Sequence, residues 1–196
     1  SVSRRLADQL GYAFVSSGLM YRAFTWLVCE SAVDIDETDA VIGLLNETNF
    51  EAARRGNELY IKVNNQDPGD ALTEDRINGN VSKIAAIPEV REVLVAEQRA
   101  CVDTTDIVME GRDIGSVVFP DTPYKFYLDA SEEVRAQRRA AQGLQDEIAE
   151  RDRVDSTRKA SPLKVAEGAS VIDTSDLNLD QVVDTLADHL RAQGLT

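Results

Sequence analysis

Apolar residues recur along this chain at two spacings, helical and strand-like, and the two alternate. Val2, Leu6 and Leu10 share one helical face, with Gly11 as a stop. Tyr12-Ala13-Phe14-Val15 reads as a strand, and Ser16-Ser17-Gly18 leads into a helix from Leu19 to Glu30. A further helix is expected from Glu37 to Asn46. The texture then changes. Asn49 to Ala53 and Glu58 to Val63 read as strands joined by a turn at Arg54-Arg55-Gly56-Asn57, and Asp67-Pro68-Gly69-Asp70 is turn-rich.

Alternation resumes with a helical stretch over Asn80 to Ala86 and a second helix opened by Pro88, where Val90, Val93 and Leu94 recur. Strands follow at Ile107 to Glu110 and Tyr124 to Leu128. Ser131 is a good N-cap, with Glu132 and Glu133 in the positive first turn of its helix. Val171-Ile172-Asp173 is the last strand, and Leu179, Val182, Val183, Leu186 and Leu190 stripe a closing helix. The alternation predicts an α/β fold, a mainly parallel sheet with helices on both faces and a small antiparallel insert.

Charge narrows the function classes. A net charge of −14 argues against a general binder of nucleic acid polymers or membrane surfaces. Yet Arg135, Arg138, Arg139, Arg151, Arg153 and Arg158 cluster in one short region, which suits a small polyanion. Cys29 and Cys101 have neither metal-ligand nor redox spacing and read as small hydrophobes of a cytoplasmic protein. No apolar run is long enough to span a membrane. The single histidine, His189, sits near the end of the closing helix and reads as a surface or capping group.

The densest chemistry lies at Glu110-Gly111-Arg112-Asp113, just past a predicted strand. In open α/β sheets ligands bind at that end of the strands. A guanidinium offers two parallel donors to a phosphate, and a carboxylate accepts from an exocyclic amine such as that of cytosine.

Four segments together resemble one family, the bacterial cytidylate kinases. They are Ser16-Ser17-Gly18-Leu19-Met20-Tyr21-Arg22, the run from Val81-Ser82 to Glu89-Val90-Arg91, Glu110-Gly111-Arg112-Asp113, and Arg151-Asp152-Arg153-Val154-Asp155-Ser156-Thr157-Arg158. The resemblance implies a P-loop-kinase-like single domain over residues 1–196, a monophosphate-binding insert over 31–100 and a lid over 131–158. It implies transfer of the γ-phosphoryl group of ATP, with Mg²⁺, to CMP or dCMP by a monomer. Arg22 and Arg112 would hold the acceptor phosphate with Ser17 beside them, and Ser82, Arg91 and Asp113 would read cytosine. Arg151 and Asp155 would reach the acceptor's ribose and phosphates. Arg112, Arg135, Arg139 and Arg158 would neutralise the transferring group. No protein residue is expected as a metal ligand.

Family members also open with a strand and a loop of the form G-x-x-x-x-G-K-[ST], which cradles the donor phosphates. The sequence contains no such loop, and Ser1 falls at its expected edge. The chain is therefore expected to be truncated at its N-terminus, and inactive and poorly folded when made alone. The segment between Arg139 and Arg151 is also short for a lid. Two other readings stay open: a kinase of the same fold with another small acceptor, and a non-catalytic nucleotide-binding or assembly module.

Overall fold

The computed structural model describes residues 1–141 and 165–195; Arg151, Asp155 and Arg158 lie outside the described residues, as does the side chain of Arg139. The chain divides into two compact units, one formed by Leu10–Gly111 and the other by Ser1–Gln9 with Arg112–Thr196.

In the first unit, β1 (Ala13–Ser16), β2 (Phe50–Arg55), β3 (Glu58–Val63) and β4 (Ile107–Glu110) form a sheet in the order β2-β3-β1-β4. β1 runs parallel to both neighbours, in a register that pairs Ala13 with Ile107 and Ser16 with Glu110. The expected hairpin is present: β2 and β3 pair antiparallel from Phe50 opposite Val63 to Arg55 opposite Glu58. Gly56, in its two-residue turn, has φ +59°, a conformation that glycine adopts without a Cβ penalty. The insert thus continues the main sheet through the β3–β1 pairing.

Helices α2 (Ser17–Glu30), α3 (Thr38–Glu47), α4 (Asp75–Ile84) and α5 (Pro88–Ala100) complete this unit. α2 packs on β3, α4 and α5, and α3 packs on α5. Phe24, Val28, Val41, Val63, Ile84, Val90 and Leu94 are fully buried in the shared core. α4 starts five residues earlier than the sequence pattern predicted, because Ile77 is a fully buried anchor that extends the Val81 and Ile84 stripe by one turn.

The second unit holds α1 (Val2–Leu10, its last residue in the first unit), β5 (Phe126–Asp129), α6 (Glu132–Ala141), β6 (Ser170–Asp173) and α7 (Leu179–Ala192). β5 and β6 form a parallel pair with Phe126 beside Ser170 and Asp129 beside Asp173. Tyr124 and Lys125 fall outside the ladder that the sequence assigned to them. α7 begins with a capping box: the Asn178 carboxamide accepts from the Gln181 amide at 3.0 Å, and Gln181 accepts from the Asn178 amide at 2.9 Å. Its stripe of Val182, Val183, Leu186 and Leu190 is buried. His189 stays exposed and sets its ring edge-on to Phe126, with centroids 6.2 Å apart. The class is the one expected, α/β with mainly parallel strands between helices.

Candidate functional site

In the Leu10–Gly111 unit the candidate side chains gather around the first turns of α2. Because β1 and β4 are parallel and in register, Ser17 and Gly111 each follow their strands at the same sheet edge. Ser17, the first residue of α2, is buried. The unpaired amides of a helix start give that end a partial positive charge, which favours an anion there.

Arg22 lies one turn along from Gly18 and is half-buried. A terminal nitrogen of its guanidinium sits 3.2 Å from where a Cβ on Gly18 would be, so the missing side chain lets the cation lie against the helix start. Its Nε donates to Asn78 Oδ1 on α4 at 3.2 Å. Ser82 stands four residues beyond Asn78, on the same face of α4, and is half-buried.

Arg91, on α5, is 7 % exposed. A charge so buried needs partners. One terminal nitrogen donates to the Ala85 carbonyl at 3.1 Å, and the guanidinium carbon lies 5.7 Å from the centroid of the Tyr21 ring. Tyr21 directly precedes Arg22, so α2 carries both Arg22 and the ring that supports Arg91. Ser17, Arg22, Ser82 and Arg91 are thereby brought into one neighbourhood of helices. Two guanidinium groups, two hydroxyls and a helix start suit a small phosphorylated ligand.

In the other unit, Asp113 is buried and opens a wide turn over Ile114–Val118, its carbonyl accepting from the Val117 amide at 2.8 Å. Arg112 beside it is half-buried. The aliphatic stem of Lys125 packs over Gly115, where an added Cβ would sit 3.0 Å from its Cδ, and its ammonium donates to the Pro120 carbonyl at 2.6 Å. Lys125 thereby braces the turn that presents Arg112 and Asp113.

The basic cluster proves to have divided roles. Arg138 donates to Thr174 Oγ1 at 2.9 Å, to the Thr174 carbonyl at 2.7 Å and to the Leu177 carbonyl at 3.2 Å. Thr174 Oγ1 in turn donates to the Asp129 carbonyl at 2.8 Å, so this arginine ties α6 to the ends of β5 and β6. Arg135 remains exposed, 4.0 Å from Asp129, and Arg139 follows it by four residues on the same helix. The Ser131 hydroxyl accepts from the Val134 amide at 3.3 Å, as the capping pattern required. Asp173 accepts from the Ser175 hydroxyl at 2.6 Å and its amide at 2.9 Å, which holds the carboxyl below its ordinary range. Ser1 acts as a helix cap, its hydroxyl accepting from the Arg4 amide at 3.3 Å.

Among the described residues no group of three or more His, Cys, Asp or Glu is placed to hold a metal ion, and no helix is long and apolar enough to cross a membrane. Burial pushes the Cys101 thiol up, with Glu97 adding to it. Burial likewise raises Cys29, against the pull of Arg76.

A helix start flanked by arginines on a mainly parallel α/β frame is the kind of site that suits proteins handling phosphorylated ligands. The family comparison narrows it. The cytidylate kinase family model matches residues 1–192, and the chain belongs to that family. A protein named cytidylate kinase from Geobacillus sp. (strain WCH70) is 38% identical over 95% of this chain and 88% of its own length. Those of Clostridium botulinum (strain Loch Maree / Type A3) and Nocardia farcinica (strain IFM 10152) are 37% and 38% identical, each over 95% of this chain and 89% and 86% of their own lengths.

Asn78, Lys125 and Arg138 were not singled out for a role by sequence reasoning. For Asn78 the available signal was its i, i+4 relation to Ser82. For Arg138 it was only membership of a basic cluster.

Proposed function

We propose that this protein transfers the γ-phosphoryl group of ATP, supplied as its Mg²⁺ complex, to CMP or dCMP, giving CDP or dCDP in the cytoplasm. The observation that carries this reading is the pair of held guanidinium groups, Arg22 over Gly18 and Arg91 over Tyr21, in a chain of the cytidylate kinase family. Arg22 and Arg112 bind the acceptor phosphate, with Ser17 donating its hydroxyl. Arg91 and Ser82 donate to the acceptor edge of cytosine at N3 and O2, and Asp113 accepts from its N4 amine. Uracil presents a carbonyl there instead, leaving a buried carboxylate facing another acceptor.

The reaction demands in-line placement, exclusion of water and countercharge, rather than a covalent intermediate. The acceptor phosphate is already nucleophilic, so no general base is assigned. Arg135, Arg139 and Arg158 supply countercharge from the lid, residues 131–158, and Arg151 and Asp155 hold the acceptor's ribose and phosphates. Residues 31–100 form the monophosphate-binding insert. Ser1 lies near the donor phosphates, and the enzyme acts as a monomer.

The test is a coupled assay for ADP release by the full-length protein with CMP, dCMP and UMP at neutral pH. Both cytosine nucleotides are expected to be used far better than UMP, and Asp113→Ala to narrow that gap. Equal kcat/KM for CMP and UMP in the unmutated enzyme would refute the assignment.

A further inference from the structure

We infer that Asn78 is a positioning residue for the acceptor phosphate, acting through Arg22. The inference rests on the proposed function and names a residue outside the motifs that carry it. An arginine side chain has four rotatable bonds, and its terminal donors point usefully only when the guanidinium plane is fixed. Here that plane is set from two sides. Nε–H donates to Asn78 Oδ1 at 3.2 Å, and the absent Cβ of Gly18 opens the space that a terminal nitrogen occupies.

The carboxamide is itself oriented. Asn78 Nδ2 donates to the Thr73 carbonyl at 2.8 Å, across five residues of chain. An amide has one accepting and one donating end, and both contacts select the same rotamer: the oxygen toward Arg22 and the nitrogen toward Thr73. The opposite rotamer would set NH₂ against N–H and oxygen against oxygen. Thr73 ends the short 3₁₀ turn Gly69–Thr73, and Asn78 lies in the first turns of α4. The Arg22 cation is therefore aimed by the junction of that turn with α4, and α2 alone does not fix it. Ser82, a candidate base-reading hydroxyl, lies one turn further along the same α4 face, so a single helix sets both an aimed cation and a hydroxyl.

Asn78 needs no contact with the nucleotide for this role, which makes it separable from a binding residue. In the full-length protein, Asn78→Ala is expected to raise KM for CMP about three- to tenfold, the range of one hydrogen bond. KM for ATP should stay unchanged and kcat should fall less than about twofold. The discriminating measurement is a double-mutant cycle with Arg22→Ala. If Asn78 acts through Arg22, adding Asn78→Ala to Arg22→Ala changes the affinity for CMP no further, whatever either substitution does to thermal stability. Equal, additive losses in both backgrounds would make Asn78 a structural tie only and overturn the inference. Should the alanine variant not fold, Asn78→Ser carries the same cycle. Calorimetric titration of CMP reads the cycle independently of turnover. An unmutated protein that phosphorylates CMP but is indifferent to Asn78→Ala sinks the inference alone; one that neither binds nor phosphorylates CMP sinks the proposed function with it.

Discussion

Gln98 should be a poor choice for the core it occupies, and replacing it with methionine should stabilise the protein. The residue sits on the inner face of α5, with none of its surface exposed. Neither its amide nitrogen nor its amide oxygen has a hydrogen-bond partner among the described residues. Burying an amide without compensation costs about 1–3 kcal/mol in proteins. Methionine has nearly the same length and volume and adapts its shape, so it opens no cavity and forces little overpacking, at most about 1 kcal/mol. The expected net gain is about 1–2 kcal/mol. At about 2.1 cal/mol/K per residue, 196 residues unfold with an entropy near 0.4 kcal/mol/K, which translates that gain into a rise in Tm of about 2–5 °C. Gln98→Ala is the contrast: it also removes the amide but leaves a cavity, so it should not stabilise. Scanning calorimetry of the full-length protein, with urea melts as a second measure, decides it. A methionine variant melting at or below the parent would show that the amide is satisfied in the native state and that the reasoning is wrong.

Two further predictions concern the other unit. Arg138→Ala removes three donors to Thr174 and Leu177 from a partly exposed cation and should cost about 1–2 kcal/mol after allowance for solvent, lowering Tm by about 2–5 °C, with lysine restoring part of it; an unchanged melt would remove the tie between α6 and β6. Asp173, held below its ordinary range by Ser175, contributes stability that is fully present above the unfolded carboxylate pKa of about 3.9 and is lost as pH falls through its lower folded value. Carboxyl-detected NMR titration should find its midpoint below that value, and Ser175→Ala should raise it; a midpoint indifferent to the serine would exclude that hydrogen bond as the cause.

How far the sequence reached varies with the physics of each stretch. The hairpin was legible because alternation and turn residues agree, but its first strand runs on through Arg54 and Arg55, which the sequence pattern placed in the turn, leaving only Gly56 and Asn57 between the strands. The closing helix was legible from its clean apolar stripe, and the Asn178 capping box that fixes its start was not part of that reading. The start of α4 was not legible. Ile77, Val81 and Ile84 do recur at helical spacing, but Asn78, Gly79 and Asn80 are weak helix formers that hide the first turn, and burial of Ile77 overrides them. The wide turn after Asp113 was equally hidden, because its shape depends on Lys125 packing over Gly115 ten residues away. Among the candidate arginines, sequence could assemble the cluster but could not separate its members. Only the geometry distinguishes Arg138, tied to three acceptors, from Arg135, exposed near one carboxylate.

The stretch that sequence read worst also carries the tie that aims Arg22, and there is a physical reason for the coincidence. A regular helix start would favour strong helix formers at positions 78 to 80; of those only glutamine offers a carboxamide, and its extra methylene sets that group one bond further from the backbone. Asparagine gives up propensity at a site where one donor and one acceptor must be matched across different elements. The two candidate cations show the same logic solved in two ways. Arg91 is fixed by burial, with a carbonyl and an aromatic face replacing water around the charge. Arg22 is half-buried and is fixed instead by a polar bracket and a missing Cβ. Each arrangement orders a rotamer-rich side chain before any ligand arrives, so that entropy is not charged against binding. The two differ in what disturbs them: Arg91 should tolerate surface changes and fail with the core, whereas Arg22 should respond to changes at the junction between the short turn and α4.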